Sequence, residues 1–323
     1  MFVGAGILFS LALALMSRSA DQWQFAVFTS VAWFLFGMGI ALINIFAGAS
    51  AGEDERGKVF GILALTGGFG LLVGGLLLGR IADALGYPTL LLMLAAFGLL
   101  WPILGMFISE EHVNRAGDEK IVKRSSPLGR ALWLFLASFT VAWIALFAGR
   151  LATSIVMESL GFSAAAISST STAAGAITLP LPAVLGWLSD RTGRLGIIGV
   201  GFLFGSLGLV VLSFAGDIQQ FWLVAVLITT MSTVIGVGFA HVADTAPKDS
   251  VGVGLALFQS TAWVGGIVGF LATGYAIENI GFVPAAFVAA IFPLIAIGIL
   301  ALSARLQFRT GSEIKTGRSS AAG

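Results

Sequence analysis

The chain repeats its own glycine pattern at a spacing of 195 residues. The register begins at residue 1, where Gly4 aligns with Gly199, and it needs shifts of a few residues in the middle of the match. Further on, Gly70, Gly74, Gly79 and Gly86 align with Gly265, Gly269, Gly274 and Gly281. Such a repeat predicts two structurally related halves. Residues 131–195 open the second copy without a counterpart in the first, which is therefore expected to lack two opening helices.

The composition indicates that these halves fold in a membrane. Hydrophobic residues make up 58% and charged residues 10% of the 323 positions, and the mean hydropathy is +1.00. A helix needs roughly 20 apolar residues to cross a hydrocarbon core about 30 Å thick. The chain is therefore predicted to be an all-α polytopic membrane protein with two pseudo-symmetric bundles and ten transmembrane helices. The apolar stretches lie near 2–16, 24–50, 59–79, 88–108, 131–157, 163–188, 195–215, 220–243, 251–277 and 282–303.

The positions of the basic residues predict the orientation of the chain. If the N-terminus is cytoplasmic, the loops on that side hold 14 of the 17 Lys and Arg residues, and only Arg18, Arg80 and Arg150 fall elsewhere. Cytoplasmic loops of membrane proteins carry an excess of Lys and Arg. We therefore expect a multi-pass protein of the cell (inner) membrane with both termini in the cytoplasm.

One long polar segment divides the chain. Residues 109–130 carry charges of both signs and are typical of a cytoplasmic linker. The linker separates an incomplete N-terminal bundle of four helices, 1–108, from a C-terminal six-helix bundle, 131–303. The tail 304–323 is basic and rich in Gly and Ser, and we expect it to be disordered on the cytoplasmic side.

Several kinds of chemistry are excluded by what the chain lacks. Cysteine is absent, which excludes disulfides, thiolate metal sites and cysteine nucleophiles. Its two histidines, His112 and His241, are too far apart in sequence for a zinc protease motif. Segment 52–59 approaches a phosphate-binding loop, but Val59 replaces the metal-ligating hydroxyl and three carboxylates lie inside it. We therefore expect no enzyme activity, no catalytic residues, no metal, no cofactor and no nucleic-acid partner.

The segment 186–194 carries the most specific motif of the chain. It reads Gly-Trp-Leu-Ser-Asp-Arg-Thr-Gly-Arg and resembles the signature loop of the major facilitator superfamily, G-x-x-x-D-R/K-x-G-R/K-R/K. The matching positions are Gly186, Asp190, Arg191, Gly193 and Arg194, and Leu195 stands where the last basic residue belongs. The string Gly79–Gly86 looks like a second copy, but the repeat pairs it with Gly274–Gly281 and the topology places it at the other membrane surface.

The resemblance implies a twelve-helix fold of which this chain would provide helices 3–12, and secondary transport of a small molecule by rocking of two bundles. In the family this loop latches the two halves together in one state, which implies that role for Asp190 and Arg191. The positions Gly57, Gly70, Gly74 and Gly75 fit the helix 5 pattern of drug–proton antiporters, whereas Thr66 and Leu71 depart from it. Efflux is therefore favoured. Organic-anion or metabolite uptake, facilitated diffusion and a non-transporting remnant or scaffold stay open.

A few polar and aromatic residues inside the predicted helices are candidates for a substrate cavity or for coupling. Ionisable residues inside a membrane are rare and tend to be functional. Arg150 is either an anion contact or a side chain that reaches for the interface, and His241 is either a proton-coupling or a packing residue. The full set of candidates is Arg150, His241, Asn44, Gln259 and Trp143. The expected partners are a small-molecule substrate, the lipid bilayer and, as candidate coupling ion, the proton; we expect a monomer.

Glycines at spacings of four predict close helix contacts. Small residues let membrane helices approach each other closely. The two repeat-related pairs are Gly70 with Gly74 and Gly265 with Gly269. We expect both pairs to lie at helix–helix contacts.

Overall fold

The computed structural model describes residues 2–50, 56–107, 126–247 and 249–320. Within these ranges the regular structure is entirely helical. The helices are α1 (Phe2–Met16), α2 (Gln22–Ser50), α3 (Arg56–Gly98), α4 (Leu100–Gly105), α5 (Arg130–Ser159), α6 (Ala164–Thr178), α7 (Leu181–Thr192), α8 (Arg194–Leu212), α9 (Ile218–Thr233), α10 (Ile235–Thr245), α11 (Val251–Ile280) and α12 (Phe282–Ser320).

The described helices match the ten predicted spans. Seven helical stretches are long and apolar enough to cross a membrane, and α6 with α7 adds an eighth that is bent by 42°. The short apolar helix α1 is a ninth. A break at Gly86 inside α3 divides the stretch Leu65–Gly105 into two, which gives ten. The fold class predicted from the sequence, an all-α polytopic membrane protein, is confirmed.

Gly86 and Gly281 show the repeat in the backbone itself. Gly86 has φ 79° and ψ 158°, and Gly281 has φ 81° and ψ 166°. Glycine adopts this positive-φ conformation without the steric cost that a side chain adds. The two residues are 195 positions apart. Each therefore makes the same turn between the last two helices of its half.

A second feature of the repeat is a duplicated helix cap. Asp21 and Gln24 open α2, and Asp217 and Gln220 open α9. In each pair the Asp carboxylate accepts a hydrogen bond from the backbone N–H of the Gln, at 2.8 and 2.9 Å. The Gln side chain in turn accepts from the N–H of the residue before the Asp, at 3.1 and 2.7 Å. This reciprocal arrangement satisfies N–H groups that a helix start leaves unpaired.

The described chain forms two compact units, and residues 163–168 belong to unit 1 together with residues 1–122. Unit 1 has a small apolar core around Ala12, Met16 and Ala32. Gly70 and Gly74 were expected at a helix contact. Among the described residues, Gly70 has no atom close to where a Cβ would lie, and Gly74 has only the Leu78 side chain of its own helix.

Unit 2 contains residues 123–162 and 169–323, and α5 is its central helix. Gly265 and Gly269 of α11 lie directly against α5. A Cβ atom on Gly265 would come within 2.9 Å of the Thr140 carbonyl oxygen, and one on Gly269 within 2.6 Å of the Ile144 carbonyl oxygen. Only the absence of a side chain permits this approach. The two glycines therefore fix the position of α5 against α11.

Two parts of the predicted domain organisation can be compared with the structure. The linker lies mostly outside the described residues, and α5 begins at Arg130. The last helix continues to Ser320, although disorder was expected from residue 304. Segment 304–309 contains Arg305, Leu306 and Gln307, which favour helix, so the apolar span extends into a polar helical end.

Asp83 of α3 caps the start of α6 inside unit 1. Its two carboxylate oxygens accept hydrogen bonds from the backbone N–H groups of Ala164 and Ala165, at 2.9 and 2.8 Å. Ser168 adds a hydrogen bond from its hydroxyl to the Gly75 carbonyl at 2.8 Å. A carboxylate at a helix N-terminus satisfies free N–H groups and complements the helix dipole. The segment Gly79–Gly86, which resembled the signature loop, therefore contacts the start of α6 through Asp83.

We expect Asp83→Ala to lower the free energy of unfolding by about 0.5–2 kcal/mol, the usual cost of losing a helix cap. The measurement is the thermal unfolding of the purified protein in detergent. Glu278→Gln is the matched control, because Glu278 occupies the equivalent position in the repeat and is exposed. Equal unfolding temperatures for Asp83→Ala and the unmodified protein would contradict the capping role.

Candidate functional site

A one-residue turn joins the two helices that carry the 186–194 motif. Helix α7 ends at Thr192 and α8 begins at Arg194. Gly193 between them has φ 99°, a conformation that glycine adopts at low cost. A basic residue at the first position of a helix is unfavourable beside the positive end of the helix dipole. Arg194 therefore needs a nearby carboxylate.

Asp244 of α10 supplies that carboxylate. Arg194 Nη2 lies 2.9 Å from Asp244 Oδ2 and 3.9 Å from Asp190 Oδ1. The Arg194 side chain is 24% exposed, against 59% for Asp244 and 71% for Asp190. The other terminal nitrogen of Arg194, Nη1, is buried without a hydrogen-bond partner among the described residues. The pair with Asp244 is the close contact, and that with Asp190 is at the limit of an ion pair.

His241 lies one turn before Asp244 and connects this group to α12. The Gln307 side-chain nitrogen donates to His241 Nε2 at 3.1 Å, and the Phe135 ring packs on the imidazole with centroids 4.5 Å apart. His241 is buried. We call the set of Asp190, Arg194, His241, Asp244 and Gln307 the Arg194 cluster. It joins three segments of unit 2: the loop between α7 and α8, the end of α10 and the middle of α12.

Arg191, the other predicted latch residue, points to a different partner. Its guanidinium lies over the Trp187 ring, 3.9 Å from the centroid. Both side chains are exposed. A guanidinium over an indole face gains a cation–π interaction. The two arginines of the motif therefore have different partners: Arg191 stacks on Trp187, and Arg194 pairs with Asp244.

Ser126 and Asp249 tie the segment before α5 to the start of α11. The Ser126 hydroxyl and backbone N–H donate to Asp249 Oδ2 at 2.6 and 3.1 Å. The hydroxyl bond, followed by the backbone bonds, holds the pKa of the Asp249 carboxyl below its usual value. A carboxyl with a lowered pKa favours the folded state at neutral pH, and this contribution is lost as the pH falls through that pKa.

Arg150 is exposed and lines an open, partly polar cavity of unit 2. The cavity has a volume of about 150 Å³. No Asp or Glu of the described residues lies within ion-pair distance of the Arg150 guanidinium. Three helices contribute to the wall, and we call this space the Arg150 cavity. Its lining residues are Arg150, Thr153 and Ser154 of α5, Thr170, Ser171 and Ala174 of α6, and Ala225, Ile228 and Thr229 of α9.

The other candidate residues lie elsewhere. Trp143 is buried in the core of unit 2, and its indole N–H has no hydrogen-bond partner among the described residues. Gln259 is exposed on α11 and does not line the Arg150 cavity. The Asn44 side chain lies outside the described residues. Of the candidate residues, Arg150 therefore lies in a cavity with Ser and Thr side chains, and His241 belongs to the Arg194 cluster.

The sequence analysis missed Thr153, Ser154 and Thr229 as neighbours of Arg150. One signal was available, because Thr153 and Ser154 follow Arg150 by three and four residues. That spacing places side chains on one face of a helix. Thr229 lies on another helix, α9, so only the packing of the helices places it beside Arg150.

Comparison with known proteins decides the family. The family model described as the Major Facilitator Superfamily matches residues 1–239 and 145–322. The chain belongs to the major facilitator superfamily. No curated protein matches the chain. As a member of this superfamily, the protein is a membrane transporter rather than an enzyme.

Solved structures show the same fold. A mutant of the peptide transporter POT is similar with a TM-score of 0.66 at 14% identity, covering 94% of this chain and 80% of that chain. The same mutant in complex with sulfate gives a TM-score of 0.68 at 12% identity, with the same coverage. Its complex with alafosfalin gives 0.68 at 13% identity, again with 94% and 80% covered.

The two carboxylates near Arg194 provide a matched pair of variants. We expect Asp244→Asn to lower the free energy of unfolding by about 1 kcal/mol. A charged hydrogen bond is lost, and solvent screening at this exposed site keeps the loss small. Asp190→Asn removes a longer and more exposed contact, so we expect about 0–0.5 kcal/mol. The difference should shrink at high salt. Thermal unfolding at low and high ionic strength measures both, and a larger cost for Asp190→Asn would contradict the assignment.

Proposed function

We propose that this major facilitator protein is a secondary transporter of a small organic molecule that works by alternating access, with the 186–194 loop as a latch. The observation that supports the proposal is the pairing of Arg194. Its contact with Asp244 is short, its contact with Asp190 is long, and Nη1 is buried without a partner among the described residues. A guanidinium with an unused donor beside two carboxylates is suited to an exchange of partners.

Asp190 is the residue that changes its partner in this proposal. Its carboxylate is 71% exposed and lies 3.9 Å from Arg194, so little energy holds it in place. A bond of this strength breaks and re-forms within a transport cycle without a large barrier. Arg191, stacked on Trp187 at 3.9 Å, would keep its position while Asp190 exchanges.

Export is the proposed direction, and the proton is the proposed coupling ion. Gly57, Gly70, Gly74 and Gly75 follow much of the glycine pattern of drug–proton antiporters. His241, the buried histidine of the Arg194 cluster, is the proposed proton-exchanging residue. The proposed location is the cell membrane, with the 186–194 loop on the cytoplasmic side, where basic residues concentrate.

The test is flux through sealed proteoliposomes that contain the full chain. A defined mixture of amino acids, dipeptides, sugars and organic acids is supplied on one side, and the lumen is measured by mass spectrometry against empty liposomes. We expect at least one solute to move, and Asp190→Asn to slow it about 5-fold or more, the lower range of coupling energies between two states. Asp21→Asn is the control, because Asn also caps a helix well.

The outcomes separate the alternatives. Flux that is unchanged in Asp190→Asn would contradict the latch. Movement against a gradient only when a proton gradient is imposed supports secondary transport, whereas movement only down a gradient would indicate facilitated diffusion. Reversing the imposed gradients distinguishes export from import. Absence of flux for every solute would contradict transport by this chain and favour a scaffold.

A further inference from the structure

We infer that the Arg150 cavity binds the carboxylate of the transported molecule, so that the substrate class is small organic acids. The inference rests on the proposed function, because it identifies the chemistry of the molecule that the transporter carries. It starts from the cavity described above, whose wall is built from α5, α6 and α9 of unit 2.

The charge balance of the cavity favours an anion. The nine described lining residues include one basic residue, Arg150, and no acidic residue. The guanidinium lies within a helix long and apolar enough to span the membrane, yet has no carboxylate of the described chain within ion-pair distance. A charge inside a membrane protein is costly unless it is paired or hydrated. Because Arg150 is exposed, an anion from solution can reach the guanidinium and pair with it.

The donors around the cavity suit an oxyanion. A guanidinium presents several N–H groups in a planar fork that matches the two oxygens of a carboxylate. Ser171 and Thr229 line the cavity from the other two helices, and each hydroxyl can donate one hydrogen bond. Thr153 already donates to the Gly149 carbonyl at 2.7 Å. The guanidinium therefore provides the main contact and the hydroxyls on α6 and α9 complete it.

The size and the apolar part of the wall limit the rest of the molecule. A volume of about 150 Å³ is smaller than the roughly 300–1,000 Å³ of sites for drug-sized ligands. Ala174, Ala225 and Ile228 provide an apolar side. The walled part of the cavity thus accommodates a carboxylate with a short aliphatic chain.

The experiment compares carboxylates with uncharged amides of the same shape. Purified full-length protein is titrated with sodium propionate and sodium lactate, and separately with propionamide and lactamide, with sodium chloride keeping the ionic strength constant. Thermal unfolding reports binding because a ligand of the folded state raises the unfolding temperature. We expect the carboxylates to stabilise the protein and the amides to have no effect.

The variants assign the effect to Arg150. Arg150→Gln is expected to weaken carboxylate binding about 10- to 100-fold, since a charged hydrogen bond is removed. Arg18→Gln is the control, because it removes one positive charge from the segment between α1 and α2 and should bind as the unmodified protein does. Arg150→Lys keeps the charge but loses the fork, so we expect intermediate binding. It also keeps the test valid if Arg150→Gln does not fold.

Failure of this inference is distinguishable from failure of the proposed function. Carboxylates that stabilise neither the unmodified protein nor Arg150→Lys, or that bind Arg150→Gln as tightly as the unmodified protein, would overturn the inference, while flux of other solutes would leave the transporter proposal intact. Carboxylate binding that needs Arg150, together with no flux in proteoliposomes, would support the site and contradict transport by this chain.

Discussion

The need to satisfy every backbone hydrogen bond inside hydrocarbon governs this structure. Water is absent from the bilayer core, so a spanning segment must pair its N–H and C=O groups within itself, and only helices do so one segment at a time. The described chain departs from helical geometry mainly at short turns. Gly86, Gly193 and Gly281 each adopt a positive φ at such a turn, which keeps the non-helical backbone to single residues.

A second consequence concerns how helices are held together. Lipid tails are as apolar as leucine, so membrane helices associate through close packing and polar contacts rather than through the hydrophobic effect. Gly265 and Gly269 bring α11 against the backbone of α5. Helix α5 in turn carries Arg150. The helix that carries Arg150 is therefore held at close range by α11.

Much of the fold could be predicted from the sequence because the bilayer imposes simple length and composition rules. The ten spans follow from apolar stretches, and Gly86 and Gly281 repeat at the predicted spacing with the same backbone conformation. The site was harder to predict because its contacts join distant segments. Asp244 pairs with Arg194 across 50 positions, and Thr229 lines a cavity with Arg150 across 79. Periodicity and motif spacing report neighbours on one helix, whereas these pairs depend on how helices pack.

Accessibility of the Arg150 cavity from both membrane faces tests alternating access most directly. The chain has no cysteine, so Ser171→Cys introduces a single thiol in the cavity wall. A membrane-impermeant maleimide is applied to sealed proteoliposomes from the outside or trapped inside, with protein orientation fixed. Alternating access predicts that the thiol reacts from either face while the vesicles remain impermeable to the reagent. Reaction from one face only, with or without a solute that the protein carries, would contradict it.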